Sequence, residues 1–459
     1  MTEDVFIGTP SYSEAFQAMD ITSQRMKNAI KDWVNLYYQN NITETEDSCQ
    51  QIPYTIVRKL TKTVFSEYMA TSKDTFVRSL LYALQDVSTE ALQAALISGE
   101  CLLKPVPTPN GFFFTVVPRQ NVRVFGRDAI GRLTDIGTDE KSVQDKFYYT
   151  LLERRTVDAG GYLTIRNSLY RSLNQNDLGT RVSLQSIPRY AMLEDEYTYP
   201  APIGSIGLIS LRTPMVNNID GSKDAVSVYS AAVGLIRNIN HNEALLNGEF
   251  DRGESRILAS RDLLKKRPAA GGGQEYGSTY QFRSNLFAGL DGDPAELGIN
   301  IFSPAIREAS FLARKQEYLR NIENVIGLKR GLLSEVEAAE RTATEITSSA
   351  GEYNLTIIDF QRQWEQTVRE LMRVCPILGQ AHGVAGSHSV SDDQYTINWG
   401  NGILYDEAKT DQELRSQVQA GLLKPERYLG WYYNRPCETP AEREQIRKEY
   451  MPDALAEGE

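Results

Sequence analysis

The stretch SPAIREASFLARKQEYLRNIENVIGLKRGLLSE, residues 303–335, decides the fold. Ser303 is a good N-cap, and Pro304 suits the first helical position because its missing N–H would have no partner there. Apolar residues then recur every three to four positions, as on one buried face of a helix: Leu312, Leu319, Ile322 and Ile326. The stretch therefore predicts an amphipathic helix over 304–327 that ends at Gly327 and is followed by a break.

A longer helix is predicted directly after this break, from Glu337 to Cys375. Its apolar positions step by three and four along the whole run: Ile346, Ala350, Tyr353, Ile357, Phe360, Trp364, Val368 and Leu371. At a rise of about 1.5 Å per residue, this helix would reach roughly 50 Å. Pro376 is expected to end it, because proline cannot donate the next helical hydrogen bond.

Before residue 303 the pattern alternates between helical and extended segments. Residues 222–250 predict another helix, with one apolar face: Val226, Tyr229, Val233, Ile236, Ile239 and Leu246. Residues 256–301 predict a compact insertion of short strands. Residues 101–215 hold short alternating runs such as FFFTVV and YTLLERRTV, separated by glycine turns. These runs predict an antiparallel meander.

Short helices complete the prediction at both ends of the chain. Near the N-terminus they are expected at 23–38, 52–69 and 74–97. Toward the C-terminus they are expected within 406–420, 425–433 and 440–450. Helices and antiparallel strands that occupy separate parts of one chain are typical of the α+β class.

Composition restricts the kind of protein. The chain has 459 residues, 41% of them hydrophobic and 24% charged, which predicts a globular protein with roughly two to four substructures. The net charge of -11 and the pI of about 5.1 argue against a surface that grips nucleic acid throughout. No signal peptide and no membrane span is expected, because the chain has neither an apolar leader nor a long apolar run.

Motifs for catalysis or metal binding are not found in the sequence. The four cysteines form no CxxC pair and are expected to be free thiols: Cys49, Cys101, Cys375 and Cys437. His382 and His388 lie in AHGVAGSHSVSDD with two aspartates, but their spacing matches no known ligand pattern, so an exposed loop is predicted. No phosphate-binding loop appears. We expect no catalytic residue, no metal and no cofactor.

One segment is basic within this acidic chain. Residues 256–283 include six basic and two acidic residues. The basic residues are Arg256, Arg261, Lys265, Lys266, Arg267 and Arg283. A solvated loop, a rim that faces phosphates and a surface that docks an acidic partner all remain open interpretations.

Several stretches, taken in order, are similar to one known family. They are ALQAALISGECLLKP (91–105), IREASFLARKQEYLRNIENVIGL (306–328), RTATEITSS (341–349) and INWGNGILYDEAKTDQELRSQVQAGLLKPERYLGWYY (397–433). The chain resembles the portal proteins of tailed bacteriophages, in particular those of phages of Gram-positive hosts, over about residues 50–450. The chain departs from the family at Gly221–Asp224, where the family often has Ser-Pro-Leu-Gly. It also departs at Arg341, where the family has Lys.

The resemblance implies the portal fold and a twelve-subunit ring at one capsid vertex. The portal fold has an α/β wing, a helical stem, a small β-containing clip, a long wing helix and a helical crown. The implied segments are the wing 1–221, the first stem helix 222–250, the clip 251–303, the second stem helix 304–327, the tunnel loop 328–341, the long helix and wing return 342–401, and the crown 402–459.

The same resemblance implies partners and a location. A portal is no enzyme: it conducts double-stranded DNA during packaging and genome ejection. Its partners would be further copies of itself, the major capsid protein, the terminase large subunit and a head–tail adaptor protein, with no membrane involved. The protein would be assembled in the host cytoplasm and reside in the virion, at the portal vertex of the capsid.

Three groups of site residues follow from the resemblance. The tunnel loop nearest DNA would carry Lys329, Arg330, Glu335, Glu337, Glu340 and Arg341. On the second stem helix, Arg307, Arg314 and Tyr318 share one side with Phe311, which is expected to face the channel or a neighbouring subunit. The basic residues between 256 and 283 would form the partner-docking surface of the clip.

Three other classes of protein remain as alternatives. A connector or head–tail adaptor is usually much shorter than this chain. A nucleic-acid enzyme would need a catalytic motif. A membrane or cell-surface binding module would need a signal peptide.

Overall fold

The computed structural model describes residues 10–39, 49–253, 256–260, 287–290, 300–302, 306–335, 343–400, 407–433, 435–437 and 439–451. The chain divides into two compact units. The larger unit contains the residues up to 62 and those from 72 to 395, and the smaller unit contains 63–71 and the residues from 396 onward. Both helices and sheets are present, so the predicted α+β class is confirmed.

The helices, in chain order, are α1 (Tyr12–Phe16), α2 (Gln24–Tyr38), α3 (Ile52–Val64), α4 (Thr75–Ser98), α5 (Val233–Gly253), α6 (Glu308–Ile326), α7 (Ala343–Ala381), α8 (Glu407–Gln419), α9 (Pro425–Tyr432) and α10 (Pro440–Tyr450). The strands are β1 (Met69–Thr71), β2 (Glu100–Thr108), β3 (Gly111–Pro118), β4 (Val122–Arg127), β5 (Leu133–Gln144), β6 (Phe147–Val157), β7 (Leu163–Ser172), β8 (Thr180–Val182), β9 (Glu196–Thr198), β10 (Ile209–Arg212), β11 (Arg256–Ser260), β12 (Phe287–Leu290), β13 (Asn300–Phe302) and β14 (Thr396–Asn398).

The strands of residues 100–212 form two sheets in the larger unit. The first has the order β10-β2-β3, and the second has the order β4-β5-β6-β7-β8, with β9 added beside β7. All pairings in both sheets are antiparallel, so the predicted meander is confirmed. Apolar side chains from both sheets and from the segment before β10 form a shared core: Leu102, Val122, Ile136, Ile206 and Leu208.

Helix α4 packs on the first sheet and fixes where β2 begins. Asp74 caps the helix by accepting a hydrogen bond from the N–H of Val77 at 2.9 Å. Gly99 ends it with a φ of +89°, and a Cβ at this position would lie 2.4 Å from the carbonyl oxygen of Ala225. Only glycine tolerates both this backbone conformation and this close approach, so the turn from helix to strand depends on Gly99.

The helix that was predicted from residue 222 begins eleven residues later, at Val233. Residues 222–229 instead run along α4 and β10, where their polar groups bond to other segments of the chain rather than within a helix of their own. Val228 N–H and Ser227 Oγ both donate to the carbonyl of Leu96, and Thr213 Oγ1 donates to the carbonyl of Val226. Val226 and Tyr229 are buried as an apolar face requires, but tertiary hydrogen bonds outweigh the helical spacing.

The long helix is confirmed, but the predicted stop at Pro376 is wrong. Helix α7 has 39 residues and contains Pro376 in its last turns. A proline removes one helical hydrogen bond, yet Val374, Cys375 and Leu378 around it are buried. Their burial stabilises the helix by more than the proline costs, so the chain continues to Ala381.

Two other predicted boundaries shift. Helix α3 ends at Val64 rather than at Met69, and Met69 begins β1 instead. Helix α6 begins at Glu308 with Arg307 as its N-cap residue, while Ser303 and Pro304 lie outside the described residues. Within α6 the predicted apolar face is buried at Leu319, Ile322 and Ile326, but Leu312 is exposed.

The smaller unit contains β1, β14 and the three C-terminal helices. β1 pairs antiparallel with β14, and Phe65 and Tyr68 pack their rings against Trp399. The helices α8, α9 and α10 match the three predicted ones within two residues. Buried Glu426 of α9 pairs with Arg447 of α10, which ties these two helices together.

None of the helices in the described parts of the chain combines the length and the apolar character needed to cross a membrane.

A buried ion cluster between the two sheets makes stability depend on pH. Glu153 accepts from Lys104 Nζ and from Arg155 Nε, each at 2.7 Å. Burial alone would raise the pKa of Glu153, but the two cations lower it to about 2. The carboxylate therefore stabilises the fold above its unfolded pKa, about 4.3, and this stabilisation is lost as pH falls toward 2.

We expect the wild-type chain to lose roughly 2 kcal/mol of unfolding free energy through this group between pH 5 and pH 3. Urea unfolding at pH 7, 5 and 3 would measure it, with Glu153→Gln as the reference. The variant has no carboxyl to titrate, so the gap between the two proteins should shrink as pH falls. A gap that stays constant from pH 7 to pH 3 would show that Glu153 is not the titrating group.

Candidate nucleic-acid interface

Helices α5 and α6 form an antiparallel pair. Three polar contacts tie them together along their length. Asn242 Nδ2 donates to the carbonyl of Phe311 at 3.1 Å, Lys315 pairs with Glu243 at 2.9 Å, and Arg307 pairs with Glu249. Strands β11, β12 and β13 lie between the two helices in sequence and form a separate three-stranded sheet of order β12-β11-β13.

One face of α6 carries alternating cations and aromatic rings, as the seven-residue spacing predicted. The guanidinium of Arg307 lies 5.9 Å from the ring centre of Phe311, and that of Arg314 lies 4.5 Å from the ring centre of Tyr318. The three predicted stem residues and Phe311 thus share a face. Both arginines keep more than half of their side-chain surface exposed.

The arginines on this face are already paired with carboxylates. Arg307 makes two hydrogen bonds to Glu249, at 2.9 and 3.0 Å, and Arg314 makes one to Glu317 at 2.7 Å. Hydrogen bonding raises the pKa of both guanidinium groups: Arg307 donates to Glu249, and Arg314 is hydrogen-bonded to Tyr318 and to Glu317. A phosphate that approached this face would have to compete with these carboxylates, which would weaken its attraction to the arginines.

The loop after α6 is held by one buried carboxylate. Glu323 has 1% of its surface exposed and accepts from the N–H of Gly331 at 3.2 Å and from the N–H and hydroxyl of Ser334 at 2.9 and 2.7 Å. It also accepts from the N–H of Leu333. The loop is thereby wrapped around the end of α6, which gives residues 328–335 one defined shape.

The predicted tunnel-loop residues fall into two groups. Lys329, Arg330 and Glu335 are exposed on the loop that Glu323 holds. The N–H of Glu335 donates to Gln316 Oε1 at 2.8 Å, and the ammonium of Lys59 on α3 donates to the carbonyl of Leu332. The other three predicted residues, Glu337, Glu340 and Arg341, lie outside the described residues.

The predicted clip residues lie mostly outside the described part of the chain. Arg256 begins β11 and pairs in register with Phe302 of β13. The other five are not described: Arg261, Lys265, Lys266, Arg267 and Arg283. The docking role of this basic segment stays a prediction.

Five large apolar side chains on or beside the paired helices are exposed. Leu245 and Phe250 of α5, Ile306 before α6, and Leu312 of α6 expose between 37% and 44% of their surface. These four lie toward the end of the helix pair that leads into β11–β13, whereas the fifth, Val325, lies near the other end of α6. We refer to these four residues as the distal apolar residues.

The histidine loop is anchored rather than simply exposed. Val384 is buried, and the N–H of Ala385 donates to the carbonyl of Pro109 at 3.0 Å. His382 Nε2 lies 2.9 Å from the hydroxyl of Tyr199, whereas His388 pairs with Asp74. The two histidines therefore have separate partners, and no group of three or more metal-ligating side chains occurs among the residues the structure describes.

Sequence reasoning missed Glu323. Its signal was present, because it lies beside Ile322 and three residues before Ile326 on the face that is predicted to be buried. A carboxylate at such a position requires several hydrogen-bond donors, and the next loop is the nearest source of them.

No family model and no curated protein matches this chain. The interpretation of its function therefore depends on the geometry of its own elements and on the motifs of its sequence.

Proposed function

We propose that this chain is the subunit of a phage portal, a ring that conducts double-stranded DNA into and out of a capsid. The observation that carries the proposal is the antiparallel pair α5–α6 with a small sheet inserted between its helices, followed by a short held loop and the 39-residue helix α7. In portals, these parts correspond to the stem, clip, tunnel loop and wing helix.

Ring formation is supported by the distal apolar residues. Large apolar side chains that stay exposed on a helix pair are suited to contact with another protein surface. A head-to-tail contact between identical copies closes into a ring if its rotation angle allows closure. We propose that each α5–α6 pair packs against the pair of the neighbouring subunit through these residues.

The role as a conduit is supported by the charge pattern. A channel must let DNA slide, so its surface should not neutralise many phosphates. The chain has a net charge of -11, and the exposed arginines of α6 are paired with Glu249 and Glu317. Lys329 and Arg330 on the held loop then supply a sparse basic element.

The partners follow from the same proposal. The terminase large subunit and the head–tail adaptor would dock on the sheet of β11–β13 and its basic segment, and the major capsid protein would surround the wing. The chain would reside at the portal vertex of the virion. No catalytic activity is part of this role.

The conduit proposal is tested by the affinity for DNA. We expect the purified protein to bind a 30-base-pair duplex with a Kd weaker than about 10⁻⁵ M at physiological salt, at the weak end of non-specific binding. Fluorescence anisotropy measures this, and the same mixtures analysed on a gel would show whether the DNA is cut. Binding tighter than 10⁻⁶ M, or cleavage of the duplex, would favour a nucleic-acid enzyme instead.

A further inference from the structure

Strand β3 has one edge that no strand covers. β3 pairs with β2 on one side, and no other strand of the described residues pairs with its second side. Its sequence, GFFFTVVP, carries no charge and is strongly β-prone. Natural sheets usually protect such an edge with charges, bulges or a covering element, so the edge of β3 is suited to accept a further strand.

The register shows which groups this edge presents. Pro105 and Pro107 of β2 cannot donate hydrogen bonds and lie opposite Phe114 and Phe112. In an antiparallel pair, hydrogen-bonded and non-hydrogen-bonded positions alternate. The N–H and C=O groups of Phe112, Phe114 and Val116 therefore point away from β2, toward the open edge. No hydrogen bond from another described segment reaches them.

A groove lies over one face of the β2–β3 pair and reaches the edge strand at Val116. Five of the eight residues of β3 line a cleft of about 890 Å³, together with Lys104 and Val106 of β2 and with residues of β5, β6 and the segment around Tyr190. A second cleft of about 440 Å³ lies between α2 and β4. The two clefts share Tyr12, Gln120 and Arg123 in their linings, so they are neighbours. We call them together the edge groove.

The edge groove is basic in an acidic protein. Seven Lys and Arg side chains line it against four acidic ones. Five of the seven bases are already in ion pairs, among them Arg123 with Asp139 and Arg189 with Glu140, which leaves Lys31 and Lys141 as the surplus. Lys31 is exposed, and the ion pairs of the described residues include none for it. The surplus positive charge at the groove favours an acidic occupant.

The groove also offers apolar contacts at alternate positions. Phe113 of β3 is half exposed, and it shares the cleft with Val117 and Leu193. A strand that adds to an edge presents every second side chain to the same face. Apolar residues at alternate positions of an incoming segment would therefore meet these side chains.

We propose that the edge groove binds an extended, acidic segment of a partner protein, which adds to β3 as a fourth strand. The backbone hydrogen bonds at Phe112, Phe114 and Val116 would supply affinity, and alternate apolar residues and the surplus basic charge would supply selectivity. Eight residues of strand span about 26 Å, which sets the length of the segment. This inference does not depend on the ring.

The test uses the full-length protein and a labelled peptide. The probe is a fluorescein-labelled nine-residue peptide that alternates Asp with Val or Phe, and binding is followed by fluorescence anisotropy. Val116→Pro removes the outward N–H without removing a bond to β2, and Val116→Ala is its matched control. We expect Val116→Pro to weaken binding at least tenfold and Val116→Ala less than threefold.

A second pair of variants tests the charge and stays informative if Val116→Pro does not fold. The double variant Lys31→Glu with Arg189→Glu should weaken peptide binding at least fivefold, whereas Lys73→Glu, an exposed lysine outside the groove, should change it less than twofold. Hydrogen exchange should show slower exchange at Phe112, Phe114 and Val116 when the peptide is added.

Three outcomes would overturn the proposal. Equal binding by folded Val116→Pro and Val116→Ala would exclude strand addition. Displacement of the peptide by a 20-base-pair DNA duplex would identify the groove as a phosphate-binding surface. Slow exchange of the three edge amides in the protein without peptide would show that the edge is already covered, for instance by a second copy of the chain.

Discussion

Replacing Glu323 by alanine is expected to lower the free energy of unfolding by about 3–5 kcal/mol, because it leaves buried and part-buried donors without their acceptor. The N–H groups of Gly331, Leu333 and Ser334 all donate to this one carboxylate. Each unsatisfied buried group costs roughly 1–3 kcal/mol, reduced where water can replace the lost acceptor. Urea unfolding measures the total loss.

Hydrogen exchange localises the effect of this substitution. The amides of Gly331, Leu333 and Ser334 should exchange at least tenfold faster in Glu323→Ala, whereas amides in α4 should change only by the global loss of stability. Glu317→Ala is the matched control, because Glu317 lies on the same helix but is exposed. It should cost less than about 0.5 kcal/mol. Equal effects of the two substitutions would show that Glu323 does not hold the loop.

Replacing Leu312 by glutamate is expected to prevent ring formation while the subunit still folds. Leu312 is 44% exposed in the single chain, so a charge there should change folding stability by less than about 1 kcal/mol. In the proposed ring, the same charge is buried at every subunit contact, where it costs several kcal/mol each time. We expect the ring fraction at 10 µM subunit to fall at least tenfold.

Sedimentation velocity measures the ring fraction, and circular dichroism checks that the subunit is folded. Leu312→Met is the matched control, because it keeps an apolar side chain of similar volume and should assemble like the wild type. A Leu312→Glu protein that assembles as well as Leu312→Met would place this side chain outside the subunit contact.

Local periodicity was sufficient to predict the helices and strands whose apolar patterns are long and regular. Helices α6 and α7 and the meander of β4–β8 could be predicted because apolar spacing repeats over many residues within each of them. Boundaries were less predictable where distant residues decide them. Residues 222–229 carry helical spacing, yet Leu96 and Thr213 bond to them across the fold.

The candidate site was predictable only where it depends on spacing along one helix. Arg307, Arg314 and Tyr318 could be placed on one face from their seven-residue and four-residue separations. The pairing of Arg307 with Glu249 could not be predicted, because it depends on how α5 and α6 are aligned. The open edge of β3 likewise requires the register with β2, which alternating residues do not define on their own.

The most direct test of the portal proposal is the mass of the assembled wild-type protein, measured by native mass spectrometry and accompanied by negative-stain images. The account predicts a closed ring of about twelve chains with a central hole wide enough for duplex DNA. A monomer or dimer that persists across salt and protein concentration would contradict it.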